Sequence, residues 1–207
     1  MTPPTAVDRI AAFAAAARPE HLTTDIRQLF KRNILDGLGC AIAALPGPPF
    51  PALREQFGEY RAPGRCTLIG GGKTSADQAA LFNSALVRYV DLLDRYMAPG
   101  GLCHPSDNFG TVLAAAEQAG ASGEGFMLAL AVAYEIQCRF SAAIPVMAKA
   151  STTPPNWRSP PPRPRADFSG SLPSKSRMRL QSRRSTTSPS PVSMPNRCRS
   201  GRASHPG

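Results

Sequence analysis

Near residue 150 the chain changes character, and this break limits what it can fold into more than any other feature. Residues 151–207 hold 11 basic residues against one acid, Asp167, with 11 of the 22 Pro and 13 Ser. Their apolar residues follow neither a period of two nor of 3.6. Proline at this density blocks continuous helix, and so little apolar surface cannot offset the entropy of ordering the segment. A disordered tail is the expectation. The first 150 residues balance 13 basic against 13 acidic side chains, so the formal net charge of +10 sits in the tail. The expected organisation is one folded domain over 1–150, long enough for a core, followed by the tail 151–207.

A pI near 10.0 ordinarily points to nucleic acid or an anionic surface. One reading of the chain is therefore a non-catalytic, basic-tailed adaptor, whose binding would be salt-dependent and lost on deleting the tail. The neutral body argues against both nucleic acid and membrane as partners of the folded part. Its longest apolar run, Phe126 to Met147, is interrupted by Glu135 and Arg139. The Ala-rich stretch after Asp8 and Arg9 reads as an amphipathic helix rather than a secretion signal. Five widely spaced cysteines (Cys40, Cys66, Cys103, Cys138 and Cys198) form no CxxC pair. That spacing disfavours a disulfide framework or structural zinc site and fits a reducing, cytoplasmic setting.

The body reads as mainly α, a helical bundle. Thr5 opens a helix that Pro19 ends, and Thr23 or Thr24 opens a second. Its apolar residues Ile26, Leu29, Phe30, Ile34, Leu38 and Ile42 predict one buried face. Gly37 and Gly39 weaken it locally or admit a close neighbour. GPPFP (47–51) breaks the chain before a short helix over 52–60. Cys66 to Ile69 is the one strand-like segment, ending in a glycine turn. Ser75 and Gln78 predict a capping box for a helix reaching about Asp94. Residues 98–108 read as a loop, followed by helices from Asn108 to about Gln118 and Glu124 to about Ala143.

Two motifs invite chemistry. GGGKTS (70–75) suggests a phosphate loop, but Thr67 stands where that loop needs its first Gly, so a plain turn is expected. The loop around His104 is more informative. Asp91 and Asp94, three apart, are expected on one helix face, and the backbone after Ser106 opens a helix whose positive end favours an anion. Such a set suits proton transfer on a carboxylate substrate. The same residues also allow a bland arrangement, with Asp94 paired to Arg88 or Arg95 and Ser106 or Asp107 capping the next helix. His21 reads as a surface residue.

RNILDGLGCAIAAL (32–45), QAALFNSALVRYVDLLD (78–94) and CHPSDNFGTVLAAAEQAGASGEGFMLALAVAYEIQCRF (103–140) carry a resemblance. Over 23–149 the chain resembles the MmgE/PrpD family, which includes 2-methylcitrate dehydratase and cis-aconitate decarboxylase. The family's Asn-Gly helix, Asp-rich end and His-Pro-Ser loop are matched at Asn83, at Asp91 and Asp94, and at His104, Pro105 and Ser106. The resemblance implies the N-terminal helical domain of a lyase that eliminates water or CO2 from a di- or tricarboxylate. It implies no metal, iron–sulfur cluster or other cofactor, and a homodimer in the intact family. Asp91 and His104 are then the catalytic pair, with Arg95, Ser106 and Asp107 as substrate contacts. Ser84, Arg88, Leu93 and Arg95 replace the family's Gly, His, Asp and Thr, departures that bear on the substrate.

The resemblance stops after Ala150, where family members continue into a smaller α/β domain. Out-of-frame translation from a lost base near codon 150 accounts for this. With codons begun one base earlier, Asn156-Trp157 yields Leu whichever pyrimidine ends the Asn codon. Residues 173–188 then re-read as an amphipathic helix, and 194–202 as the family's Ser-x-Trp-Lys-Gly segment. The expectation is a truncated chain, inactive as translated.

Overall fold

The structure, a computed structural model, describes residues 3–59, 63–98 and 101–144. The disordered, out-of-frame tail expected over 151–207 lies outside the described residues. Six α-helices and two small hairpins make up the described chain.

Helix α1 (Ala6–Ala16) begins with a capping box: the Asp8 amide donates to the Thr5 hydroxyl at 3.2 Å, and the Thr5 amide to the Asp8 carboxylate at 2.8 Å. After a 3-10 turn at Pro19–His21, Thr23 caps α2 (Thr24–Ala44). The buried face of α2 follows the expected one as far as Leu38 and departs from it at the C-terminal end. Ile26 and Phe30 point inward with Asn33, Gly37, Cys40, Ala41 and Ala44, whereas Ile42 is 59% exposed. Small residues win because α2 packs closely on α4 and α6. A Cβ on Gly37 would sit 3.7 Å from the Phe109 ring; Gly39 faces nothing within 4 Å.

The break at GPPFP is shorter than expected. Helix α3 (Pro49–Glu59) starts at Pro49 itself, because the first helical turn has no use for the amide that proline lacks. The strand-like segment is a hairpin of β1 (Cys66–Thr67) and β2 (Lys73–Thr74), joined by Gly70, Gly71 and Gly72 at φ of 91°, 120° and 91°. Only glycine takes those values at low cost. The motif is therefore a hairpin turn, with the Lys73 ammonium on the Arg65 carbonyl.

Helix α4 (Ala76–Tyr89) is shorter than expected, and Ser75 makes no capping bond, since Gln78 turns to the Thr74 hydroxyl. Asn83, fully buried, fastens the hairpin to α4: its carbonyl accepts the Ile69 amide at 3.0 Å and its NH2 donates to the Thr67 carbonyl at 2.8 Å. The segment expected as loop contains a second hairpin, β3 (Tyr96–Ala98) and β4 (Gly101–Cys103), then a 3-10 turn over Pro105–Asn108. Helix α5 (Phe109–Ala119) lies tightly on α4. It ends at Gly120 in the left-handed region, φ 64°.

Ser122 caps α6 (Gly123–Ala143), the one described helix long and apolar enough to cross a membrane. Its inner face packs Leu130, Ala131, Tyr134 and Cys138 into the core, and Glu135 is buried in an ion pair with Arg139. Phe30 meets Tyr134 edge-on at 5.1 Å between centroids, and Phe50 meets Phe82 at 5.7 Å. These rings set the helices around the segment that carries His104.

Candidate active site

The site is built just past the end of α4, which stops at Tyr89. After Val90 the chain turns through a left-handed Asp91, φ 51°. Aspartate tolerates that conformation better than most residues. Asp91 and Asp94 therefore do not share a helix face, contrary to the sequence expectation. Asp91 is exposed and pairs with Arg88 at 3.4 Å. Asp94 is only 8% exposed.

Asp94 organises the loop. Its Oδ1 accepts the Ser106 amide at 3.1 Å and the Ser106 hydroxyl at 2.5 Å. Its main-chain carbonyl lies 2.8 Å from His104 Nδ1. A carbonyl only accepts, so Nδ1 carries the proton and the neutral ring leaves its Nε2 lone pair as a base. The His104 carbonyl takes the Gln137 NH2 at 3.4 Å, and Gln137 also bonds Asn108, so α6 holds the loop from below. Ser106 is buried and both its donors end on Asp94. A buried carboxylate must find donors, and the Ser106 pair is nearest.

Asp107 is half-buried, with Arg88 3.9 Å away. Burial pushes its carboxyl above the ordinary range; Arg88 and His104 pull the other way, and Asp94 and Asp91 add to the rise. Tyr134, against Asp94 and Asn33, is pushed well up by burial and then by the Asp94 charge, so it stays a neutral phenol. Arg95 is exposed, with no ion pair among the described residues. Thus Asp91, Arg88, Asp107 and His104 form one connected set at an open surface, with Arg95 following on the chain.

Two cavities lie elsewhere. One of about 600 Å³ sits beside the glycine turn between Arg54, Phe57 and Lys73. The other, about 420 Å³, lies between α2 and the segment from Val90 to Leu92. His104 lines neither. Among the described residues no group of three or more His, Cys, Asp and Glu is placed to hold a metal.

Sequence reasoning missed Asn33, Tyr134 and Gln137 as parts of this neighbourhood, paired Arg88 with Asp94 rather than with Asp91 and Asp107, and took Asp94 for a helix residue. Tyr134 and Gln137 lie three apart on α6, a spacing that puts both toward one neighbour. Nothing local says which neighbour.

A cis-aconitate decarboxylase-like protein of Aspergillus oryzae, oryM, is 28% identical over 152 residues, 70% of this chain and 31% of that protein. The chain thus spans about a third of that relative's length. No solved structure matches it. The model of the MmgE/PrpD N-terminal domain matches residues 8–155, which take in the loop of His104 and every helix described above except the first two residues of α1, and the chain belongs to the MmgE/PrpD family.

Proposed function

We propose that this chain carries the proton-transfer residues of a lyase acting on a di- or tricarboxylate, a dehydratase resembling 2-methylcitrate dehydratase. The observation that carries this reading is the His104 ring, whose Nδ1 is held by the Asp94 carbonyl at 2.8 Å. Nε2 is then the atom that takes a carbon-bound proton from the substrate. Charge developing beside a substrate carboxylate needs cations close by. Arg88 and Arg95 are the two cationic side chains on this segment. Asp91, exposed beside Arg88, exchanges the second proton with the leaving group.

A relative of which the chain spans 31% implies that this set is one wall of a larger site. We further propose that residues 151–207 are out-of-frame translation, on the strength of their composition and their re-reading in the neighbouring frame. The 207-residue chain then shows no turnover of 2-methylcitrate or cis-aconitate. Restoring one base near codon 150 yields the longer enzyme in which the site can be assayed. There, His104→Ala and Asp91→Asn should each lower the elimination rate by about 10²–10⁴-fold with circular dichroism unchanged. Arg95→Ala should mainly raise KM, because a guanidinium pairs with a carboxylate. Near-full kcat in His104→Ala would remove the basis of the reading.

A further inference from the structure

We propose that Asp94 is the positioning residue of this site: a two-point latch that fixes where His104 sits and which of its nitrogens carries the proton. The functional meaning of the latch rests on reading His104 as the base; its geometry does not.

The latch uses different parts of one residue. The Asp94 carbonyl holds His104 Nδ1 at 2.8 Å, and the side-chain Oδ1 holds the Ser106 amide at 3.1 Å and hydroxyl at 2.5 Å. Residues on both sides of Pro105 are thus tied to one point, and Pro105 itself is buried. Asp94 is 8% exposed and Ser106 3% exposed, so water competes little for these bonds. The other oxygen, Oδ2, is buried, and the Tyr134 phenol packs against the same carboxylate. Oδ1 receives both Ser106 donors, which is the pattern of a clamp. A proton-transfer group instead presents an open oxygen to the reacting atoms.

The chain between the two ends of the latch is the β3–β4 hairpin, paired Tyr96↔Cys103, Met97↔Leu102 and Ala98↔Gly101. The latch closes the hairpin at its base, so His104 is placed independently of what lies beyond the first rung. The Met97 and Leu102 side chains are exposed, 58% and 39%.

His21 supplies a built-in contrast. Its Nδ1 accepts the Arg18 amide at 3.1 Å, so its neutral ring carries the proton on Nε2, the opposite tautomer to His104.

The test is the ¹⁵N spectrum of the 207-residue chain labelled at its three histidines, His21, His104 and His205, with His104→Gln to assign the signal. It is recorded without substrate at a pH where the rings are neutral. His104 should show the Nδ1–H form and His21 the Nε2–H form; an Nε2–H His104 overturns the proposal. Asp94→Asn, which keeps the Oδ1 acceptor, should preserve the His104 signal. Asp94→Ala, which keeps only the main-chain carbonyl, should let the ring relax to the solution mixture dominated by Nε2–H. An Asp94→Ala chain with normal helical content and an unchanged His104 signal overturns the latch. So does an Asp94→Asn chain that behaves like Asp94→Ala, since charge rather than the clamp would then be responsible. If Asp94→Ala does not fold, Ser106→Ala decides: a reduced Nδ1–H population is expected, and a full one counts against the latch. Removing the Met97–Leu102 rung should leave the His104 tautomer intact, and its loss would show that the hairpin, not Asp94, sets the ring. Because no turnover is measured, an inactive repaired enzyme would sink the lyase reading and leave this result standing.

Discussion

Two aspartates of similar sequence context end in opposite environments. Asp91 is exposed and paired with Arg88, while Asp94, three residues on, is buried against Ser106. Asp107 lies between these extremes, and its raised carboxyl has a consequence for stability. A carboxyl whose folded pKa lies above its unfolded value binds its proton more tightly in the native state. Its contribution to stability therefore falls as pH rises from about 4 toward the raised value. The groups facing it are Arg88 and His104, which oppose the rise, and Asp94 and Asp91, which add to it. Asp107→Asn should accordingly shrink the loss of Tm between pH 4 and neutrality, and Arg88→Ala should enlarge it. Melting curves of the three chains across that range check this; parallel curves would remove the assigned cause. In sequence, Asp107 looked like a contact for a carboxylate substrate. Its burial, which comes from folding, is what makes it reluctant to ionise.

At the level of elements, α4 and α5 make the closest joint among the described helices. A Cβ on Gly110 would meet the Ser84 backbone nitrogen at 2.3 Å and the Asn83 carbonyl carbon at 2.7 Å. Backbone cannot rotate away as a side chain can, so Gly110→Ala should cost about 1–3 kcal/mol or more. Gly39, inside α2 with nothing within 4 Å, offers the opposite case. Gly39→Ala should gain about 0.5–1 kcal/mol, the usual difference between these residues within a helix. Urea denaturation of both variants measures the contrast, and equal effects would mean that the joint is looser than described. Helix existence was legible here: the caps Thr5, Thr23 and Ser122 and the stop at Gly120 are local signals. How far the apolar face of α2 runs was not. Ile26 and Phe30 turn inward as their spacing predicts, but past Leu38 close packing selects Cys40, Ala41 and Ala44 over Ile42.

For the whole molecule, Phe30, Phe50, Phe82, Leu86, Leu130 and Tyr134 are all fully buried and belong to one hydrophobic cluster. Deleting 151–207 should leave the helical far-UV signal, in absolute terms, unchanged. A substantial loss of helix would mean that the tail supports the fold. The sequence by itself determined the helical class, most helix starts, the neutral body with a basic end, and the family pattern around His104. Each of these rests on spacing within a few residues, on capping chemistry or on composition, all of which are local. Only the tertiary structure decided that α4 stops at Tyr89, that Asn83 fastens a hairpin, and that Asp94 rather than Asp91 holds the His104 loop. Those outcomes join residue 94 to 104 and 106, 83 to 67 and 69, and 104 to 137. Bonds across such separations form only where helix packing brings the groups together and excludes the water that would otherwise satisfy them.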